Sequence, residues 1–92
     1  MKYLIQPRIL LEKVAGQYLL IAYGEIRKDL PYIQAINDTA AFYWNLLEHH
    51  FTRDEIIAAS VDEFDITADV AASGLDSFLH QLEKLGYLKA VY

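Results

Sequence analysis

The spacing of apolar residues changes near residue 37. Before that point they come in short runs split by turn-formers. Ile9 to Val14 is an apolar run broken by Glu12 and Lys13, and Tyr18 to Tyr23 is rich in aromatic and branched residues. Ala15-Gly16-Gln17 lies between them. Gly16 can adopt positive φ without steric cost, so the two runs predict a β-hairpin. Gly24 to Pro31 is polar and reads as a loop. Tyr32-Ile33-Gln34-Ala35-Ile36 alternates weakly and suits a short third strand, with Ile33 and Ala35 on one face and Tyr32, Gln34 and Ile36 on the other. Its length and Pro31 at its start place it at a sheet edge.

From Asn37 onward the period is helical. The Asn37 side chain can cap a first helix, and Asp38 sits at the positive end of its dipole. Ala40, Tyr43, Trp44, Leu47 and Phe51 follow at helical spacing, predicting a helix to about His50. Thr52-Arg53-Asp54-Glu55 is a capping box that opens a second helix, Arg53 to about Asp62, with Ile56, Ile57 and Ser60 inward. Phe64 to Thr67 reads as a loop. A third helix, about Ala68 to Leu85, carries the core stripe Ala71, Leu75, Phe78, Leu82 and Leu85. Gly86 suits a left-handed C-cap, and Tyr87 to Tyr92 leads out as a short strand. The order is α+β: three N-terminal antiparallel strands followed by three helices, the last two with the short spacing of a helix-turn-helix.

Ninety-two residues make one domain, 1–92, and 54% hydrophobic residues supply a core. No cysteine is present, which removes disulfides, thiol nucleophiles and thiolate metal sites. The longest apolar stretch, Tyr18 to Tyr23, is far below the ~20 residues of a membrane helix. Pro7, Arg8, Glu12 and Lys13 interrupt any signal-peptide core, so the chain reads as soluble and cytoplasmic, with no membrane partner. Net charge is −5: residues 1–46 carry five basic and four acidic groups (+1), residues 47–92 three and nine (−6). An acidic C-terminal half repels phosphate backbones and argues against nucleic acid. The seven tyrosines have no basic groove beside them, so they do not form a base-stacking platform. No Gly-x-Ser-x-Gly, phosphate loop or His-Glu-x-x-His is present. His49 and His50 are adjacent and point apart on a helix, where a metal pair needs spacing of three or four. No catalytic site, cofactor or metal is expected.

Three segments carry a resemblance. Asn37-Asp38-Thr39-Ala40-Ala41-Phe42-Tyr43-Trp44-Asn45-Leu46-Leu47 resembles an LNxTAxxIWxLL signature, Thr52-Arg53-Asp54-Glu55-Ile56 a TxEEI segment, and Asp76 to Leu88 a DVxxFLxxLxxxGLL ending. In this order, over roughly residues 9–90, they are similar to the pyrroloquinoline-quinone biosynthesis protein D (PqqD-like) family. Its fold recurs as the precursor-peptide recognition element of ribosomal peptide modification pathways. The departures are Ile36 for Leu, Asp38 for Glu, Glu48-His49-His50 at a turn that usually holds Gly, and Ser77 for Val. The resemblance implies a winged helix-turn-helix without a catalytic site. It implies capture of a precursor's leader peptide as a strand beside the third strand, with the third helix as the other wall. It also implies a modifying enzyme as partner, such as a radical S-adenosylmethionine enzyme.

An edge strand supports that mode independently, because an added strand satisfies its unpaired backbone groups. The expected peptide-binding residues are Tyr32, Ile33, Gln34, Ala35 and Ile36 on the strand. On the third helix they are Ala72, Asp76, Leu79 and Glu83, a stripe beside the core stripe. Plainer readings stand beside these. Leu79 is core or groove. Asp76 caps a helix segment, pairs with a base, or meets a basic leader residue. Gly74 permits a close backbone approach or marks a late helix start. Trp44 is core. Two other functions stay open: an assembly subunit holding a partner protein's segment, and a winged-helix DNA-binding protein. The second is disfavoured by Asp69, Asp76 and Glu83 against Lys84 and Gln81.

Overall fold

The computed structural model describes residues 3–28 and 33–91. Its strands are β1 (Tyr3–Ile5), β2 (Ile9–Val14), β3 (Gln17–Ala22), β4 (Ile33–Ile36) and β5 (Leu88–Val91). The helices α1 (Asp38–Glu48), α2 (Arg53–Phe64) and α3 (Ala68–Leu85) lie between β4 and β5. The class is α+β with antiparallel strands and three helices, and β2, β3 and β4 correspond to the three predicted strands. Outside the helices, two features differ. A short 3-10 turn, Gly24–Lys28, occupies part of the predicted loop. β1 was not predicted and pairs antiparallel with β5, Tyr3 opposite Val91. Three residues carry too little pattern to reveal a strand whose partner lies at the other end of the chain. Tyr32, expected in the third strand, lies outside the described residues.

The hairpin forms as its sequence dictates. Ala15 and Gly16 both hold positive φ, 52° and 80°, between the paired residues Val14 and Gln17. Two consecutive left-handed residues match the right-handed twist of the flanking strands. β4 then pairs with β3, Leu20 opposite Gln34 and Ile21 opposite Ile33, giving the order β2-β3-β4.

The helix boundaries follow their caps. Asn37 Oδ1 accepts from the Ala40 amide at 2.8 Å. Thr52 and Glu55 make both halves of the capping box. Thr67 Oγ1 accepts from the Val70 amide, and Gly86 closes α3 at φ 81°. α1 stops at Glu48, short of the predicted His50, because His50 takes φ 63° and cannot continue the helix, and α2 runs past the predicted Asp62 to Phe64, where Asp65 at φ 52° ends it.

The core gathers Leu20 from β3, Tyr43, Trp44 and Leu47 from α1, Ile56 from α2, and Leu75, Phe78, Leu79 and Leu82 from α3. Leu79 is therefore core, packed with the stripe rather than beside it. Trp44 and Tyr87 are fully buried, their rings edge to face at 6.5 Å.

Asp76 is held on α3 by Arg53 of α2. Arg53 Nε donates to Oδ1 at 3.0 Å and Nη2 to Oδ2 at 2.8 Å, a two-pronged pair. This hydrogen bonding lowers the Asp76 pKa below its ordinary 3.8 and raises that of Arg53. A depressed carboxylate contributes stability above its unfolded pKa and loses it as pH falls through the folded one. Both side chains are partly solvated, so the pair is worth at most about 1 kcal/mol. Asp76→Asn should lower the thermal midpoint slightly at neutral pH. The difference from wild type should shrink below about pH 4. Melting curves across that range check it, and a gap that persists or widens in acid would contradict the assignment.

Candidate functional site

The described residues give β4 one neighbour, β3. Its other edge carries backbone groups that no described strand pairs. Ile33 is 60% exposed and Ala35 is exposed, while Gln34 and Ile36 are half-buried on the helix side. Gln34 Nε2 donates to the Ala35 carbonyl at 3.1 Å, a local bond that an incoming strand can replace at little cost.

A cavity of about 330 Å³ opens beside the end of β4. One wall is the start of α1 with the residue that caps it: Asn37, Thr39, Ala40 and Tyr43. The other is one flank of α3: Gly74, Ser77, Phe78 and Gln81. Its floor is aromatic, with the Tyr43 and Phe78 rings 6.0 Å apart. Its rim is amide and hydroxyl, and no charged side chain lines it. Such a surface accepts an apolar or neutral side chain and offers hydrogen bonds at its edge. A shallower hollow of about 630 Å³, formed by Gly16, Gln17 and Tyr18 with residues 35–39, meets it at Asn37 and Thr39.

Gly74 builds this wall. A Cβ there would stand 2.9 Å from the Tyr43 hydroxyl, so the glycine marks a close approach in mid-helix and not a late start. Tyr43 is buried and cannot swing out freely. Burial raises its phenol above the ordinary 10.0, and a hydrogen bond with the Ser60 hydroxyl pulls the other way. Ser60 itself is buried and donates to the Ile56 carbonyl at 2.7 Å. In Gly74→Ala the helix gains about 0.5–1 kcal/mol of propensity, but overpacking of this kind costs about 1–3. The thermal midpoint should fall. Adding Tyr43→Phe, which removes the clashing oxygen, should recover part of the loss. A higher midpoint in the single variant would show that the ring moves aside freely.

The expected strand residues Ile33, Gln34, Ala35 and Ile36 all lie on β4. The expected helix residues lie elsewhere than the cavity. Asp76 is paired with Arg53, Leu79 is buried, Ala72 is half-buried and Glu83 is exposed. None of the four lines the 330 Å³ cavity, whose α3 wall is the other flank of the core stripe. Val70 precedes Gly74 by four positions on that flank and is 56% exposed. Val70, Gly74, Ser77 and Gln81 form an uncharged stripe opposite the acidic stripe Asp69, Asp76 and Glu83. That contrast is visible in the sequence and is the signal that distinguishes the two flanks. Asn37 was read only as a cap, Tyr43 only as core and Thr39 only as part of a motif, because nothing in a linear pattern shows that α1 begins at the mouth of a groove.

Among the described residues, no group of three or more His, Asp or Glu side chains is placed to hold a metal ion. No described helix is long and apolar enough to cross a membrane.

Comparison with known proteins bears on this geometry. The family described as Coenzyme PQQ synthesis protein D (PqqD) matches residues 27–88, from the 3-10 turn to the start of β5. The chain belongs to this family. The matched span holds β4, all three helices and every residue of the 330 Å³ cavity. A solved structure described as "TbiB1 in Complex with the TbiA(beta) Leader Peptide" superposes with a TM-score of 0.78 at 17% sequence identity, covering 96% of each chain. At that identity the likeness is one of fold. No curated protein matches the chain.

Proposed function

We propose that this PqqD-family protein captures the leader of a ribosomally made precursor peptide and presents it to a modifying enzyme, without catalysing the modification itself. The observation that carries this is β4, an edge strand with exposed residues beside an uncharged groove. Strand addition satisfies the edge, and alternate side chains of the added strand supply specificity. The fold shared with TbiB1, whose structure contains a leader peptide, supports the same reading.

Ile33 to Ile36 pair with the incoming strand. On α3, the contacts fall to Gly74, Ser77 and Gln81, with Val70 extending the wall. Asp76 remains engaged with Arg53, and Ala72, Leu79 and Glu83 take no part in the groove. The three-residue connection between α2 and α3, with β2 and β3 as the wing, fits a winged helix-turn-helix within one module spanning residues 1–92. Asp69, Asp76 and Glu83 along α3 direct that module toward peptide and away from nucleic acid. A radical S-adenosylmethionine enzyme in the cytoplasm is a fitting partner for such a protein.

The test is an amide NMR titration of the labelled protein with the leader of a short precursor peptide encoded beside it. Shifts should concentrate on Ile33–Ile36, Thr39, Gly74, Ser77 and Gln81. A silent spectrum from folded protein would reject that peptide, and shifts confined to the Asp76–Glu83 flank would move the site to the other side of α3.

A further inference from the structure

We propose that an aromatic cavity rimmed by Asp38 and Glu63, beside the hairpin, receives an arginine of the leader from the stretch that precedes the strand added to β4. This rests on the capture reading above.

The cavity holds about 370 Å³ between the hairpin, α1 and the end of α2. The strand register turns Leu11 and Tyr18 toward the helices and leaves Leu10 and Ile33 on the open face of the sheet. Leu11 and Tyr18 form one wall. Phe42 of α1 and Phe64 of α2 form the other, their ring centroids 5.0 Å apart at 74°. All four are half-buried, so aromatic and aliphatic surface stays open to a ligand. Asp38 and Glu63 stand exposed on the rim. Among the described residues neither carboxylate has a hydrogen-bond or ion-pair partner. Asp38 has a structural reason, since it opens α1 at the positive end of the dipole. Glu63 has none. It lies in the last turn of α2, where the dipole disfavours a carboxylate and no basic residue offsets it.

Ring faces beside carboxylates are the chemistry that holds a guanidinium, which stacks as a planar cation and donates paired hydrogen bonds. The apolar walls suit the long stem of an arginine. Tyr18 already takes a cation in this way: Lys13 Nζ lies 5.1 Å from its ring centroid, without pairing to either carboxylate.

Continuity with the strand site makes the leader the source. The 630 Å³ hollow shares Tyr18 and Asp38 with this cavity, and Asn37 and Thr39 with the uncharged one. The three form one trough around the start of α1, neutral on one side and acidic on the other. Tyr18 pairs with Ile36, so the leader residue opposite Ile36 stands two strand spacings from Tyr18, roughly 10 Å. Extended chain covers that in about three residues, which places the arginine about three to five positions beyond the residue opposite Ile36. An antiparallel addition continues the order of the sheet and puts that stretch on the N-terminal side of the added strand.

The site is tested first without any leader. N-acetylarginine amide is titrated into the labelled protein and followed by amide NMR. Shifts should concentrate on Asp38, Ala41, Asn45, Glu63 and Phe64, and the neutral citrulline analogue should produce none. Glu63→Gln should weaken the affinity at least about threefold. It should keep or slightly raise the thermal midpoint, because it removes a charge that the dipole opposes. Asp62→Asn alters an equally exposed carboxylate that does not line the cavity, and should change nothing. The synthetic leader of the peptide encoded beside the protein is then measured by anisotropy. Citrulline for its arginine in the upstream stretch should cost about fivefold on wild type, the upper range for a partly exposed ion pair, and little more on Glu63→Gln. Arginine-amide shifts that scatter over the acidic surface, or that Asp62→Asn diminishes as much as Glu63→Gln, overturn the site. A leader with no arginine in that stretch, or one that binds equally well with citrulline, also overturns it and leaves capture on β4 standing. Failure of wild type to bind the leader at all strikes the capture reading and, with it, the leader as occupant.

Discussion

Trp44→Ala should lower the unfolding free energy by about 3–5 kcal/mol, the usual range for removing a fully buried tryptophan. A domain of this length holds roughly 5–14 kcal/mol in all, so the variant should be marginally folded. Trp44 is fully buried on α1 and packs edge to face on Tyr87, the residue that leads α3 into β5. Its removal loosens the contact between the first helix and the β1–β5 pair that joins the chain ends. The indole Nε1 complicates the account: it is buried and finds no hydrogen-bond partner among the described residues. An unpaired buried donor costs about 1–3 kcal/mol. Trp44→Phe loses packing volume but also removes that donor, so it should cost less than half as much as alanine. Urea unfolding of the two variants measures the difference. Equal losses would mean that the Nε1 proton has a partner in solution, and a small loss in Trp44→Ala would mean that α1 repacks without the ring.

Ser77→Arg should abolish leader binding, with a loss of at least thirtyfold, while leaving the thermal midpoint within a few degrees of wild type. Ser77 is exposed on α3 and faces the cavity between the start of α1 and α3. A long charged side chain there occupies the cavity that, on the proposed reading, receives the inward residues of the added strand. It also places a charge where the lining has none. The fold should tolerate it, because an arginine at an exposed helical position has good propensity and can extend into water. The control is Glu83→Arg, an equally exposed position on the opposite flank. It should leave leader affinity within twofold. Anisotropy titrations with a synthetic leader compare the two. Loss in Glu83→Arg with binding retained in Ser77→Arg would place the peptide on the acidic flank.

The local structure was legible because local rules governed it. Each helix start is a side-chain cap acting within three residues; Asn37 and Thr52 were read as caps, while Thr67 was read only as the end of a loop. Gly86 ends α3 because only a left-handed residue closes that turn. The hairpin was legible from a turn dipeptide between two apolar runs. The edge character of Ile33 to Ile36 was legible from short length and a preceding proline. β1 was not, because its three residues owe their strand conformation to β5, more than eighty positions away.

The two flanks of α3 show where the pattern ran out. Helical spacing assigns Asp76 and Gln81 to opposite sides of the core stripe, but it does not say which side meets which neighbour. Asp76 was a chemically attractive choice for contacting a basic leader. Its actual partner, Arg53, lies twenty-three residues earlier and reaches it only because α2 packs against α3. That packing leaves the uncharged flank for the cavity, and Gly74 is the residue that permits Tyr43 to form its floor.

By itself, the sequence determined the class, the helix starts, the edge strand and the family. These depend on caps, periods and ordered motifs within one stretch of chain. Only the tertiary structure decided which flank of α3 lines the cavity, what holds Asp76, why Gly74 sits in mid-helix and which sheet face remains apolar and open. Those depend on how elements distant in sequence pack together, and packing is fixed by the shape of the whole core and not by any segment of it.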